Sequence, residues 1–515
     1  MDLKLFKEEI STFEEIISTN CEQSVELDYV LPDYYPEIHK IIKCIAEPHV
    51  ISRCVNDSFL SYDIALLVKI LYCSENSSRI NVIDQKLMYT KSVELQRNVI
   101  NPDIKISVGT DYINCRAINS RRVDLRGALS IEISVADISS IQLISGAEGM
   151  GIQLHKIPVT YPSNRLFASK QFMVEEVFEL GQSNLPIDSI IYVDTAVISS
   201  DKKIISNKMV VKGELNINIL YTSNKSDECG IENIQFTIPF SQIIDMDGVD
   251  ENFECQLDID IVTSDIIVRS EGDGTSDSIA CKVTMLVKGY AFRITTSELA
   301  VDQYSVTFES NSIKGNLNIN NVLKYINNTS VIKSHLDFTS DLPECIFDVR
   351  CKLRKCSAFV NEHDVLTVNG VADYTILASN SDKNPFIFDK AENFTINIPF
   401  EDLDENSIAE ISVCPLTCSY NIVSDNQVDI ITEIKITGNV NCVETINGLS
   451  DIEITEEYNN AEKNDCAIKL YFAQDGESIW DIAKRYRAPI NSVIEENDLD
   501  GDNTVQSGML IIPMM

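Results

Sequence analysis

The sequence predicts a mainly β protein, built of tandem β-sandwich-like repeat domains followed by a small α+β domain of order βααβ. Three observations support this fold class. Apolar and polar residues alternate with a period of two, similar segments recur in the same order, and helical spacing appears after residue 475. A chain of 515 residues also needs several cores, because one core rarely serves more than about 250–300 residues.

The alternation is clearest in two segments that resemble each other. Residues 209–221 read MVVKGELNINILY, with apolar residues on one face and Lys212 and Glu214 on the other. Residues 366–377 read LTVNGVADYTIL and repeat this register, with Gly370 in the position of Gly213. Each segment is predicted to be a strand with one solvent-exposed face.

Two further similarities follow in the same order. NIQFTIPF at 233–240 resembles NFTINIPF at 393–400, and KVTMLVKG at 282–289 resembles TEIKITG at 432–438. Because proline cannot donate a hydrogen bond to a neighbouring strand, the first two segments are predicted to lie in an edge strand or at a strand end.

A weaker third copy lies near the start of the chain. FLSYDIALLVKILYCSEN at 59–76 resembles the segments at 209–221 and 366–377, with Ile64 in place of their glycine. RRVDLRGALSIEISV at 121–135 occupies the place of the later segments at 282–289 and 432–438. The predicted division of the chain is β domain 1 at 1–160, β domain 2 at 165–302, β domain 3 at 310–452, a flexible linker at 453–465 and a terminal domain at 466–515.

Composition excludes several classes of partner. The chain has 42 basic and 79 acidic residues, a net charge of −37, so a nucleic acid is not expected to bind. The start, MDLKLFKEEISTFEEII, has neither the basic end nor the apolar run of a signal peptide, and no transmembrane segment is predicted. We therefore expect a cytosolic protein whose 15 cysteines are reduced.

The sequence offers no recognisable catalytic or metal-binding motif. The glycine-rich stretch EGDGTSD lacks the lysine of a phosphate-binding loop, and the five histidines stand in unrelated contexts. Cys351 with Cys356, and Cys414 with Cys418, depart from the spacing of a zinc site, and DLDGD at 498–502 departs from a calcium loop. We expect no catalytic residue, no metal and no cofactor.

The terminal domain is predicted element by element. IKLYFAQ at 468–474 is a strand, the Asp475–Gly476 pair is a turn, and Ser478 caps a helix, with Asp481 in a capping-box arrangement. The apolar stripe of this helix is Ile479, Ile482, Ala483 and Tyr486. A second helix, INSVIEEN, follows Pro489, and SGMLIIP is the closing strand.

These features resemble a LysM domain, a module that typically binds N-acetylglucosamine polymers. The resemblance rests on the D-G-E turn, SIWDIAKRY, the Asn that ends the second helix, and GMLIIP. Arg487 and Pro489 depart from the usual glycine and capping residue, and Arg487 would strain a left-handed helix end. The resemblance implies a binding groove formed by Asp475, Gly476, Glu477, Ser478, Ile494, Asn497, Asp498 and Leu499.

Trp480, the only tryptophan, has two open interpretations. It is either a binding anchor beside this groove, since aromatic residues often anchor interfaces, or a residue that packs the small core. The carboxylates of Asp475, Glu477 and Asp498 favour a basic protein surface over a neutral sugar as ligand.

The whole chain resembles the SipL-like family of clostridial spore-coat morphogenetic proteins, which combine β domains of unknown function with a terminal LysM domain. LPDYYPEIHKIIK at 31–43 and CRAINSRRVDLRGALSIEISV at 115–135 carry the resemblance, together with the domain order. It implies a non-enzymatic scaffold in the mother-cell cytoplasm, at the forespore surface. The resemblance also implies that the LysM domain binds the coat ATPase SpoIVA and that other coat proteins assemble around the pair.

Two alternatives rank below this interpretation. One is a peptidoglycan- or N-acetylglucosamine-binding protein of the cell wall or cortex, as the LysM resemblance itself implies. The other is a wall hydrolase, because LysM domains often accompany such enzymes. Repeated companion domains favour a scaffold over a single active site.

Overall fold

Eighteen strands form three units of the same design. The computed structural model describes residues 3–75, 79–99, 102–180, 184–223, 230–271, 275–338, 342–361, 365–400, 407–455, 468–499 and 504–513. The first unit contains β1 (Lys4–Val30), β2 (Lys40–Asn56), β3 (Phe59–Cys73), β4 (Ile80–Glu94), β5 (Asp103–Asn119) and β6 (Arg122–Glu148). The second contains β7 (Ile152–Glu179), β8 (Ser189–Ile205), β9 (Lys208–Thr222), β10 (Ile231–Asp245), β11 (Glu254–Glu271) and β12 (Thr275–Ser305). The third contains β13 (Ser310–Asp337), β14 (Cys345–Asn361), β15 (Val365–Ser379), β16 (Pro385–Pro399), β17 (Ser407–Ser424) and β18 (Gln427–Ile454).

Within each unit the strands form two antiparallel three-stranded sheets. The first, sixth and fifth strands make one sheet, in that order, and the second, third and fourth make the other. The facing surfaces of the two sheets enclose one apolar core per unit, because alternate residues of each strand point inward. The predicted fold class is confirmed.

The outer strands extend beyond the sandwich as a two-stranded arm. β5 pairs with β6 only between Arg122 and Ala136, so the rest of β6 pairs with β1 alone. β12 and β18 continue past their fifth-strand partners in the same way. We propose that each unit is one domain. The predicted boundary at 160–165 falls inside β7, because the arm of the second unit begins at Ile152.

The three arms pack together in one apolar cluster. Its fully buried members come from all three units: Ile10, Leu143, Val159, Tyr161, Leu299, Leu317, Ile319 and Ile446. Two glycines let the arms approach closely, since a Cβ on Gly315 would lie 2.7 Å from Ile141 Cδ1 and one on Gly448 would lie 2.8 Å from Leu143 Cδ1. The units are therefore joined through a core of their own.

A second cluster joins the units at their short sheets. Leu71, Leu220 and Leu377 each occupy the thirteenth position of the third strand in their unit, and all three belong to this cluster. Equivalent residues meet in this way only if the units surround a common axis. The chain therefore has an approximate threefold arrangement built from one polypeptide.

The recurring glycines of the third strands face a phenylalanine ring. Gly213 pairs with Phe240 and Gly370 with Phe394, each ring being the tenth residue of its edge strand. The sequence match of NIQFTIPF with NFTINIPF aligned Phe240 with Phe400, whereas in the structure Phe240 is equivalent to Phe394. The feature that recurs in both units is a phenylalanine ring that faces a glycine on the neighbouring strand. Both prolines of those motifs do lie in edge strands, as predicted.

The terminal domain has the predicted order βααβ. Its elements are β19 (Ile468–Ala473), α1 (Ile479–Tyr486), α2 (Ile490–Glu496) and β20 (Gly508–Pro513). β19 and β20 pair in antiparallel fashion, and both helices pack on one side of them. Of the predicted linker at 453–465, the first two residues belong to β18, and everything from residue 456 lies outside the described residues.

Candidate binding site in the terminal domain

Helix α1 begins and ends as its sequence predicts. Ser478 Oγ accepts a hydrogen bond from the Asp481 backbone N–H at 3.3 Å, which satisfies one free donor of the first turn. Lys484 lies in the last turn, where the helix dipole favours a cation. Arg487 ends the helix in the left-handed conformation at φ 54°, a region that costs a non-glycine residue free energy. The helix is thus capped at its start and strained at its end.

The turn before α1 is held by Glu477. The Glu477 carboxylate accepts hydrogen bonds from the Gln474 backbone N–H at 2.9 Å and from Tyr471 Oη at 2.7 Å. These bonds lower the pKa of Glu477, the backbone bond most. Gly476 adopts a φ of 82°, and a Cβ atom added to it would have no atom within 4 Å. Glycine is therefore favoured here by the backbone conformation and not by a lack of space. Asp475 is exposed.

The predicted site residues in the last turn of α2 and just after it mostly make contacts within the domain. The Asn497 amide donates to the Val493 and Ile511 carbonyls at 2.8 and 2.7 Å, and its oxygen accepts from the Ile511 N–H at 2.7 Å. These bonds tie the end of α2 to β20. Ile494 and Leu499 pack partly against the core of the domain, whereas Asp498 is exposed.

Trp480 is buried against the second β unit, with only 4% of its surface exposed. Its Nε1 donates to Asp302 Oδ2 at 2.8 Å, and its ring stacks on His155 with 5.1 Å between centroids. The edge of the ring contacts Tyr304 at 4.9 Å. Trp480 therefore belongs to the core cluster of the terminal domain, as one of the two sequence interpretations held, and it also anchors the domain to the arm of the second unit, which neither interpretation included.

Three more contacts complete this docking interface. Two join the same arm to Lys484 and Ala488, and the third joins Arg487 to the connection between the second and third units. Lys484 Nζ lies 2.6 Å from Asp302 Oδ2, Tyr304 Oη donates to the Ala488 carbonyl at 2.7 Å, and Arg487 lies 3.9 Å from Glu309. Burial opposes ionisation of Asp302, but the bonds from Lys484 and Trp480 outweigh it, so its pKa lies below its ordinary value. Burial raises the pKa of Tyr304.

Sequence reasoning missed the partners of Trp480, namely Asp302, Tyr304 and His155. No local pattern connects them with the tryptophan, which lies 178 residues from Asp302. Asp302 is not distinguished in the sequence either, because the same strand also carries the acidic residue Glu298. Whether the nine predicted site residues form a ligand groove stays a prediction.

A cavity of about 560 Å³ lies between the first and second units. Its charged lining residues are Arg53 and Lys288, which lie 3.6 and 3.2 Å from Asp260 Oδ2. Their charges are thus compensated by a neighbouring carboxylate. Across the described part of the chain, no three His, Cys, Asp or Glu side chains are grouped in a way that would hold a metal ion.

The fold defines a class of protein: three tandem β units followed by one small βααβ domain. Comparison with known families gives this class a more specific description. The family model described as SipL, SPOCS domain matches residues 186–268, and the LysM domain model matches residues 473–512. The protein is SipL-like, with a C-terminal LysM domain. Searches of the curated proteins and of the solved structures gave no match.

The two matched segments lie in different parts of the fold. Residues 186–268 cover β8 to β11 of the second unit, and 473–512 cover the terminal domain. Both families are binding domains without catalytic activity, and they indicate a sporulation-related protein whose LysM domain suggests glycan binding. No helix among the described residues is long and apolar enough to cross a membrane.

Proposed function

We propose that the protein is a non-enzymatic scaffold of spore coat assembly, which binds a SpoIVA-like ATPase through its LysM domain at the forespore surface. Other coat proteins would assemble around this pair. The SipL-type match supports the setting, and the two matched binding domains support a role without catalysis.

The observation that carries the proposal is an apolar row on the free side of the LysM sheet. Leu470, Phe472 and Met509 are 65, 75 and 62% exposed, and Phe472 pairs directly with Met509. Large apolar side chains in adjacent positions are typical of protein interfaces. The exposed carboxylates of Asp475 and Asp498 belong to the same domain and would suit basic residues around such an interface.

Capture of a SpoIVA-like ATPase by the full-length protein tests this function. We expect Phe472→Asp to reduce capture at least about tenfold, because a buried aromatic anchor contributes 2 kcal/mol or more to binding. The control is Ile294→Asp, which alters another exposed apolar residue (53%) on the arm of the second unit. Equal capture by both variants and by the wild type would remove the LysM sheet from the interaction.

The acidic turn is tested separately. Asp475→Lys with Asp498→Lys is expected to weaken capture at low salt and to lose its effect at high salt, since exposed charges act mainly through long-range attraction. A truncation after Thr455 removes the whole domain and sets the lower limit. Imaging a fluorescent fusion in sporulating cells tests the location of the protein. We expect a shell of fluorescence around the forespore, and labelling of the outer wall of growing cells would contradict the proposal.

The LysM match favours glycan binding as the second candidate. It predicts that the full-length protein sediments with peptidoglycan or chitin and that a truncation after Thr455 does not. Absence of sedimentation at low salt would exclude this function, and it leaves the capture experiment unaffected.

A further inference from the structure

Arginine is concentrated in one place on this acidic chain. Four of its 14 arginines lie within the 11 residues from 116 to 126, although the net charge of the chain is −37. They are Arg116, Arg121, Arg122 and Arg126. In the structure they belong to the hairpin of β5 and β6 in the first unit. A chain rich in carboxylates thus carries one local group of guanidinium ions.

Arg121 has a role in the local fold. Its Nε donates to Glu37 Oε1 at 3.1 Å, and its Nη1 donates to the Pro32 carbonyl at 3.3 Å. The Leu31 backbone N–H in turn donates to the Arg121 carbonyl at 2.8 Å. These bonds hold the loop between β1 and β2 against the tip of the hairpin. The local fold therefore accounts for this arginine but not for the other three.

The other three arginines stand on the outer face of the β1–β6–β5 sheet. Leu125 of β6 is fully buried in the core of the unit. Because successive residues of a strand point to opposite faces, Arg126 points away from that core, and so does Arg122. Arg116 of β5 lies directly opposite Asp124 of β6, so it shares this outer face.

Two of these arginines share one carboxylate. Arg116 and Arg126 lie 3.1 and 3.5 Å from the same atom, Asp124 Oδ2, and their side chains are 66 and 67% exposed, whereas that of Asp124 is 17% exposed. Arg122 donates to both carboxylate oxygens of Asp28. The ion pairs fix the arginine side chains in place. A guanidinium that uses two of its five N–H donors in this way keeps the others for a second carboxylate.

Exposed apolar side chains border the arginines. Val30 of β1 lies directly opposite Arg122 and is 65% exposed, and Ile118, two residues after Arg116, is 50% exposed. Arginine beside apolar side chains is a combination typical of protein interfaces. A ligand that fits this face therefore combines carboxylates with an apolar side chain.

The third unit shows that the fold does not need these arginines. Both hairpins have two residues between their strands, and β17 pairs with β18 in the register in which β5 pairs with β6. Counted from the hairpin, the positions of Arg116, Arg122 and Arg126 are taken by Asn421, Gln427 and Ile431. The sheet therefore forms without these ion pairs.

We propose that this outer face around Arg116, Arg122 and Arg126 is a docking surface for an acidic segment of a second protein. Carboxylates of the segment bind the guanidinium N–H donors, and an apolar side chain of the segment covers Val30 and Ile118. A nucleic acid fits less well, because its charge extends beyond the face and is repelled by the rest of a chain of net charge −37. The surface lies outside the LysM domain and is independent of the function proposed above.

Fluorescence anisotropy with the full-length protein and a labelled octaglutamate peptide tests this docking. At physiological salt, charges beyond about 8 Å are screened, so the peptide senses mainly the local surface. We expect saturable binding, which Arg116→Gln combined with Arg126→Gln should weaken at least about tenfold, because charge-assisted contacts are lost. The uncharged Asn421 and Ile431 at the equivalent positions indicate that the double variant folds.

A control variant separates this face from general charge. Lys314→Gln with Lys333→Gln removes the same charge from exposed positions of the third unit and should leave the affinity unchanged. Ile118→Asp should weaken binding, since it places a carboxylate beside the peptide. Absence of binding by the wild type, or an equal loss in the lysine control, would overturn the proposal. So would tighter binding of a polyphosphate of equal charge, because the face would then attract anions in general.

Discussion

The three β units and the LysM domain are attached to the rest of the molecule in different ways. The units share clusters of fully buried aliphatic side chains, such as the one around Leu143, Leu299 and Ile446. The LysM domain contacts the second unit through one smaller apolar cluster, in which Tyr304 packs with Trp480, and through polar contacts to Asp302 and the Ala488 carbonyl. Apolar burial is non-directional, whereas each polar contact depends on the position of its two partners. The three units are thus joined by several apolar clusters, and the LysM domain is held by one cluster and a few polar contacts.

The largest expected effect comes from opening the cluster between the arms. Leu143→Ala removes a fully buried side chain that fills the space left by Gly315 and Gly448. We expect the free energy of unfolding to fall by about 2–5 kcal/mol, from lost burial and the cavity that remains. Denaturant unfolding measures this change. The control Ile138→Ala, at a partly exposed position of the same strand, should change it by less than about 0.5 kcal/mol.

A smaller effect is expected from overfilling the same cluster. Gly448→Val places methyl groups where even a Cβ would lie 2.8 Å from Leu143 Cδ1, and we expect a loss of about 1–3 kcal/mol. Combined with Leu143→Ala, the new side chain should recover part of the lost stability, because the two positions share one space. Strict additivity in the double variant would contradict the close packing of the arms.

The docking of the LysM domain should depend on Asp302. Asp302→Ala leaves the Trp480 indole N–H and Lys484 without their acceptor and should weaken docking by about 1–2 kcal/mol. Because Trp480 is the only tryptophan, a red shift of its emission reports the exposed ring directly. Glu298→Ala, at an exposed carboxylate of the same strand, is the control. Unchanged emission in Asp302→Ala would show that the polar contacts do not hold the domain.

The smallest expected effect is a pH dependence of the same docking. The pKa of Asp302 is held below its ordinary value of 3.8, so its contribution is complete above that value and is lost as the pH falls through the lower, docked pKa. Tryptophan emission should therefore stay constant from pH 7 to about 5 and shift to the red only in strong acid. In Asp302→Asn this acid shift should be absent, since no carboxyl group titrates at that position.

The sequence predicted those features that depend on local spacing. Alternation located β9 and β15, and the cap at Ser478 with the stripe at Ile479, Ile482 and Ala483 located α1. Features set by distant contacts were not predictable in this way. The pairing of Gly370 with Phe394 depends on strand register, and the burial of Trp480 depends on an arm that is remote in sequence. The arms themselves were missed because the alternation of β7 continues through the predicted boundary at 160–165.

The leucines at Leu71, Leu220 and Leu377 show that the molecule carries inside one chain the geometry of a homotrimer. In a true trimer every substitution appears three times, so no subunit can specialise alone. Covalent fusion removes that constraint: the inward positions stay matched while each outward surface evolves independently. Three structurally equivalent faces can therefore recruit three unlike neighbours at fixed angles.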